Sequence, residues 1–356
     1  MSRYFSSKFS RLTPYVPGEQ PKDRSYVKLN TNESPFPPSL KAVAAAAEAA
    51  RGFELYSDPE AYGLCEALAR TYRVGKDNVI CSNGSDEVLN FAFAAFCDEA
   101  TPAVFPDITY GFYPVFAEFN RVPYIEYPLD EDLRIDIRDY MKNEGTVFIA
   151  NPNAPTGIAL GPADIEKIVS SNPDRVVVID EAYVDFGAES AVPLTEKYDN
   201  LLVVMTFSKS RSMAGARLGF AVGNAELIND LQTVRYSTNP YNVGSAAQAA
   251  GIGALADPGY TESNCREIMR VREKTERELK ELGFDMTDSK ANFLFVKHPD
   301  IGGRDLYLAL KERGVLVRHF DRERIVDYNR VTVGSEEQMN VLVTKIREIL
   351  DGGIKK

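Results

Sequence analysis

Lys209 follows an apolar run at 201–207 inside FSKSRSMAGARLG, with Arg217 eight residues later. A second apolar run, 176–179, ends at Asp180 in DEAY, and Tyr183 stands three residues on. A lysine amine is protonated in neutral water, so joining a carbonyl as a Schiff base needs a desolvated or cationic setting that lowers its pKa. A carboxylate closing four apolar residues bears a large desolvation cost unless a cation faces it. A protonated pyridine nitrogen is such a cation. Opposite charges about 4 Å apart attract by roughly 4 kcal/mol at an effective dielectric near 20, enough to keep the ring an electron sink. These are the parts needed to hold pyridoxal phosphate, with the Tyr183 hydroxyl turned toward the phenolic oxygen. Taken singly, Lys209 reads as a surface lysine at a helix start, Asp180 as a helix cap and Tyr183 as an ordinary half-buried tyrosine. Their conjunction favours the cofactor.

The cofactor phosphate has its own candidates. The Ser85 and Asp86 amides open a helix after NG, and with Thr206, Ser208 and Arg217 they combine a helix N-terminus with a guanidinium fork. Asp86 is expected to cap that helix and to present its N–H, not its carboxylate. Tyr110, in FPDITYGFY, is suited to lying on the pyridine face, and core packing is an equally good reading of so aromatic a segment.

The elements that must position these groups follow from patterning. Short β-branched runs without alternation, NVICS, TPAVF, VPYIEY, TVFIA, RVVVID, LLVVMTF and RLGFAVG, predict a mostly parallel sheet covered on both faces. NGSDE, NPNAPTG, Asp180 and Ser208-Lys209 follow the ends of these runs, where open α/β sheets bind ligands. Residues 1–39 read as an extended arm, 40–255 as a large α/β domain and 256–356 as a smaller α+β domain packed with the arm. Helices are expected over 40–51, 59–72, 260–282 and 304–313 and from Ser335 onward. A chain of 356 residues with 44% hydrophobic and 26% charged residues suits two globular domains.

Other chemistries lack material. A net charge of −11 with scattered Lys and Arg argues against a nucleic-acid surface. His298 and His319 are the only histidines, which leaves little for a Ser-His-Asp site or for zinc, and both are read as structural. Neither G-x-G-x-x-G nor G-x-x-x-x-G-K-[ST] occurs in the required context. No apolar stretch has the length of a signal peptide or a membrane span. Cys65, Cys81, Cys97 and Cys265 form no C-x-x-C pair and are expected as free thiols in the cytoplasm.

In order, LNTNESPFPP, GSDE, TYGFY, NPNAPTG, DEAY, FSKSRSMAGARLG and RVTVG resemble the class I/II aminotransferases of fold type I, the aspartate aminotransferase-like pyridoxal-phosphate enzymes, over nearly the whole chain. The resemblance implies that Lys209 carries the cofactor, Asp180 holds its ring nitrogen, Tyr183 its phenolic oxygen and Tyr110 its face. Arg217, Ser208, Thr206 and the Ser85 and Asp86 amides would hold the phosphate. Tyr56 would reach a phosphate in the neighbouring subunit of a homodimer with shared sites. The family has Asn where this chain has Ala154, and Asn153 is the candidate substitute. Arg330, Arg318 and Tyr15 would clasp the anionic end of the substrate. The implied reaction is transamination of L-histidinol phosphate with 2-oxoglutarate to imidazole-acetol phosphate and glutamate, in histidine synthesis. Alternatives left open are an aromatic or broad-range aminotransferase, a threonine-phosphate decarboxylase, and a non-catalytic cofactor-binding regulator.

Overall fold

Strings of Val, Ile and Leu too short for helices can bury both faces only as interior strands. In the computed structural model, which describes residues 2–10 and 12–352, all seven such runs are strands of one sheet; those from NVICS and VPYIEY form its edges, and the latter is partly exposed. After a short 3-10 turn at Ser7–Phe9, the chain forms a two-residue strand, β1 (Val27–Lys28), and helices α1 (Leu40–Ala49) and α2 (Tyr62–Tyr72). It continues through β2 (Val79–Ser82), α3 (Ser85–Phe96), β3 (Ala103–Pro106), α4 (Tyr113–Asn120), β4 (Tyr124–Tyr127) and β5 (Thr146–Ala150). Next come α5 (Pro162–Ser171), β6 (Val177–Asp180), β7 (Leu201–Thr206), β8 (Gly219–Gly223), α6 (Ala225–Thr238) and α7 (Ser245–Leu255). The strand order is β2-β8-β7-β6-β5-β3-β4. Pairing is parallel except at β8, which runs antiparallel to both neighbours.

Side-chain alternation splits the strands between two cores. Val177, Ile179, Leu201 and Val203 face Ile165 and Ile168 of α5, whereas Val178, Leu202 and Val204 face Phe93 and Phe148 on the other side. The expected helix at 59–72 starts only at Tyr62. Ala61 takes a left-handed conformation, and the Asp58 carboxylate accepts the N–H groups of Glu60 and Tyr62.

Beyond Asp257 the order of elements changes. Helix α8 (Pro258–Glu281) leads to β9 (Asp285–Met286), β10 (Phe293–Lys297), α9 (Gly303–Glu312), β11 (Val315–Leu316), β12 (Arg318–His319), β13 (Asn329–Thr332) and α10 (Glu336–Gly352). An antiparallel sheet of order β12-β13-β10-β9 carries this part. Pro at the start of α8 lacks the N–H that a first turn cannot use. Cys265, Ile268, Val271 and Leu279 then turn one face of α8 into a core with Phe293, Leu306 and Leu342. The arm returns here: β1 pairs with β11, and Leu29 enters the same core, as do Tyr183 and Phe186 from the larger part.

Candidate active site

β6 and β7 lie side by side and end at Asp180 and Thr206, and β2 ends just before α3 on the neighbouring edge. Their ends open on a cavity of about 400 Å³. Lys209, Asp180, Tyr183 and Tyr110 line it, as do Ser85, Asp86, Thr206, Ser208 and Arg217 around one end. Among the described residues no group of His, Cys, Asp or Glu could hold a metal ion.

Lys209 leaves β7 through Phe207 and Ser208, and its Nζ donates to the Thr31 carbonyl at 3.4 Å. Nζ stands 5.7 Å from the centre of the Tyr183 ring. Burial lowers its pKa to about 8, and the Arg330 cation adds to that. Asp180 is pushed up to about 7 by burial, even though the Ala182 N–H and the Tyr113 hydroxyl both donate to it at 3.2 Å. No salt bridge reaches Asp180 among the described residues. A buried carboxylate with two donors and no ion pair suits the protonated nitrogen of a heterocycle, and a lysine with a depressed pKa suits an aldehyde.

Two residues missed by sequence reasoning complete this corner. Tyr113, the second tyrosine of TYGFY, donates to Asp180. Asn32, from LNTNESPFPP in the arm, donates from Nδ2 to the Tyr183 hydroxyl oxygen at 3.0 Å. Asn32 tolerates its left-handed φ of 55° better than most residues and is pinned by Thr332 and Asn292 of the smaller part. Because the Tyr183 oxygen already accepts a bond, its own proton is free to be given to a ligand. The motif around Asn32 was visible, but nothing local signals that its amide meets a residue 151 positions away.

At the α3 end, the N-cap is Gly84, at φ 77°, which has no side chain to occupy the first-turn N–H groups. A Cβ on Gly84 would lie 2.6 Å from Arg217 Nη2, and one on Gly219 would lie 2.3 Å from Ser85 N, so the cradle needs both glycines. The expectation for Asp86 is corrected here. Its carboxylate does not cap the helix; it faces the cavity, accepting from the Tyr110 hydroxyl at 2.6 Å and from Arg217 Nη2 at 3.0 Å. Thr206 Oγ1 accepts the Ser208 N–H at 3.1 Å.

Asn153 is a second correction. It does not line the cavity, though Ala154 does. Its Nδ2 donates to Ile108 O at 2.9 Å and to Thr156 Oγ1, and its Oδ1 accepts from Thr109 at 2.8 Å, so the amide is engaged in holding its own loop to β3's exit.

Arg330 and Arg318 come from adjacent strands of the smaller sheet, directly opposite each other in register. Arg330 Nη2 donates to the Asn30 carbonyl at 3.3 Å, and its Nε is buried without a partner. Arg318 donates to Val16 O and Pro17 O of the arm. Tyr15 stacks on Phe112 with ring centres 4.2 Å apart. All three line the first cavity and also a second of about 450 Å³, walled by Ile108, Val115 and Phe320. Tyr56 lies outside both. It is 84% exposed, stacked on Tyr241, with Phe53 and Leu55 also exposed beside it.

The profile of the aminotransferase class I and II family matches residues 24–346. The chain is 47% identical to histidinol-phosphate aminotransferase of Brachyspira hyodysenteriae over 98% of its own length and 99% of the relative's. It is 48% identical to histidinol-phosphate aminotransferase 1 of Bradyrhizobium diazoefficiens over 98% and 100%. Its fold is similar to the solved histidinol-phosphate aminotransferase of Sinorhizobium meliloti in complex with pyridoxal-5'-phosphate, with a TM-score of 0.90 at 23% identity over 99% of each chain.

Proposed function

The chain belongs to the class I and II aminotransferases, and on that premise we propose that it transfers the amino group of L-histidinol phosphate to 2-oxoglutarate with pyridoxal phosphate as cofactor. The observation that carries the cofactor is the convergence of a depressed lysine amine and a buried carboxylate without an ion pair on one cavity beside a helix N-terminus. The donor is supported by relatives of that name, which match the chain at 47% and 48% identity over nearly its whole length.

When bound, the cofactor supplies a cationic ring that draws electrons from the substrate carbon bearing the amine. Lys209 Nζ would bind its aldehyde and Asp180 its ring nitrogen. Tyr183 would donate to its phenolic oxygen, and Tyr110 would cover the ring. The Ser85 and Asp86 amides, Thr206, Ser208 and Arg217 would take the phosphate. Lys209 Nζ would also hold the proton removed from the substrate carbon, a task suited to an amine whose pKa burial lowers to about 8. Arg330 and Arg318, with Tyr15, offer two planar forks for the substrate phosphate, and Arg330 alone suffices for the far carboxylate of 2-oxoglutarate. The exposed Phe53, Leu55 and Tyr56 support a homodimer in which Tyr56 reaches the partner's site. Four free cysteines and the absence of any helix long and apolar enough to cross a membrane, among the described residues, accord with a cytoplasmic enzyme.

The test is a visible spectrum of the purified, cofactor-loaded protein titrated with histidinol phosphate, then with 2-oxoglutarate. The wild type should bleach and recover with glutamate formed, and Lys209→Ala should not cycle. Release of carbon dioxide, or much faster turnover of phenylalanine, would replace the substrate assignment; no response to any amino donor would remove the reaction.

A further inference from the structure

α2 and β2 bring two of the four thiols together. Cys65, on the buried face of α2, has its Sγ 3.5 Å from the Sγ of Cys81 in β2. Cys65 also lines a third cavity, of about 350 Å³ and open to solvent, that shares no residue with the two described above. Arg235 enters this cavity from α6. Only 2% exposed, it donates from Nη1 to the Pro59 carbonyl, and its Nε and Nη2 have no partner. Gln232, nearly one turn earlier on the same helix, leaves its buried Oε1 unpaired as well. Buried polar groups without partners cost about 1–3 kcal/mol each. Several of them at one cavity mark a place built to receive a polar molecule.

The two sulfurs differ in character. The hydrogen bond from Cys81 lowers the Cys65 pKa, and the Arg235 and Lys76 cations add to this against the effect of burial. The Cys81 thiol is held well above its ordinary value by the same bond and by burial. The other two thiols, Cys97 and Cys265, are each pushed up to about 12 by burial. Thiolate character, an adjacent cation and access make a cysteine reactive; Cys65 is 4% exposed, and its access is through the cavity it lines.

We propose that Cys65 is a peroxide-reactive thiol, with Arg235 orienting the peroxide in this cavity and Cys81 closing a disulfide. The Cys65 sulfur attacks one peroxide oxygen and the O–O bond breaks. The departing oxygen leaves as hydroxide beside the free Arg235 N–H groups and takes a proton to become water. Cys65 is now a sulfenic acid. The Cys81 sulfur then attacks the Cys65 sulfur, the S–O bond breaks, and the hydroxide departs with the Cys81 proton as a second water. Two thiols lose two electrons and two protons, and one peroxide is reduced to two waters. The sulfurs have to close from contact to a bond of about 2.05 Å, a small movement of α2 against β2.

The test uses the cofactor-loaded enzyme and a few equivalents of hydrogen peroxide. Peptide mass spectrometry should find a Cys65–Cys81 bridge in the wild type, reversed by dithiothreitol. In Cys81→Ser, trapping with dimedone should label Cys65 about tenfold or more faster than Cys97 or Cys265, and Arg235→Gln should slow that labelling alone. Native alkylation of the unmodified wild type by iodoacetamide gives the same ranking without a substitution. Cys65 reacting first supports the assignment. Cys65 reacting no faster than Cys97 and Cys265, or peroxide producing no bridge, overturns it.

Discussion

Asp180 and Lys209 line one buried cavity, and Glu181, next to Asp180 in the chain, is buried apart from it against Ser190 and the Ala191 N–H; each carries a pKa displaced toward its neutral form. Asp180 rises from 3.8 to about 7 and Glu181 from 4.5 to about 8, so between those values the folded chain keeps protons that the unfolded chain releases. Their contribution is full at low pH and lost as pH rises, for Asp180 by something of order 4 kcal/mol. Lys209 falls from 10.5 to about 8, so its contribution is present at high pH and lost as pH drops through 8. The cofactor-free protein should therefore have a minimum of thermal stability near pH 8. Loading with pyridoxal phosphate should flatten it, because Lys209 becomes covalently engaged and Asp180 gains a cation. Melting curves of both forms from pH 5 to 10 check this; an identical profile for the two forms would oppose it. On the proposed function, Asp180→Asn removes the charge that would hold the ring cation, worth roughly 4 kcal/mol at an effective dielectric near 20. Turnover should then fall on the order of a thousandfold while Lys209 still binds the cofactor, as read from kcat and the visible spectrum.

Strand β8 is the antiparallel member of the large sheet, and its position explains why the α3 end forms a cradle. Gly219, its first residue, lies against the backbone of Gly84 and Ser85, with room for no Cβ. The contact is with main chain, so it cannot be relieved by a rotamer change. Gly219→Ala should push α3's first turn away from Arg217 at a cost of about 1–3 kcal/mol. Pyridoxal phosphate should bind roughly 10- to 100-fold more weakly, measured by titrating the cofactor-free protein, with secondary structure retained. Unchanged affinity would mean that the α3 turn does not hold the phosphate. The seven runs of the large sheet and helices α1, α2, α8, α9 and α10 were legible from apolar runs and helical spacing, whereas α4, α5, α6 and α7 were not picked out. The start of α2 was also missed, because Asp58 and Ala61 set it through a side-chain bond and a left-handed residue that carry no periodic signature.

Across the whole molecule, the arm and the smaller part deliver Asn32, Arg318, Arg330 and Tyr15 to a cavity that the larger sheet only half encloses. The exposed strip at Phe53, Leu55 and Tyr56 is the corresponding feature on the outside. If the proposed homodimer forms through this strip, replacing Phe53 and Leu55 together with Asp should convert it to a monomer in light scattering and lower activity at least tenfold, with the melting transition preserved. A double variant that remains dimeric would place the interface elsewhere.

Residue types and spacing pointed to a pyridoxal-phosphate site, through a lysine and an aspartate closing apolar runs with an arginine eight residues on, and to a mostly parallel sheet to carry it; the reaction came from the family resemblance. Tertiary structure decided orientation and company. It turned the Asp86 carboxylate into the cavity, drew Asn153 out of it, brought Asn32 and Tyr113 in, and set Cys65 against Cys81. Such pairings join residues far apart in the chain, and their energies arise only when packing excludes water around both partners at once.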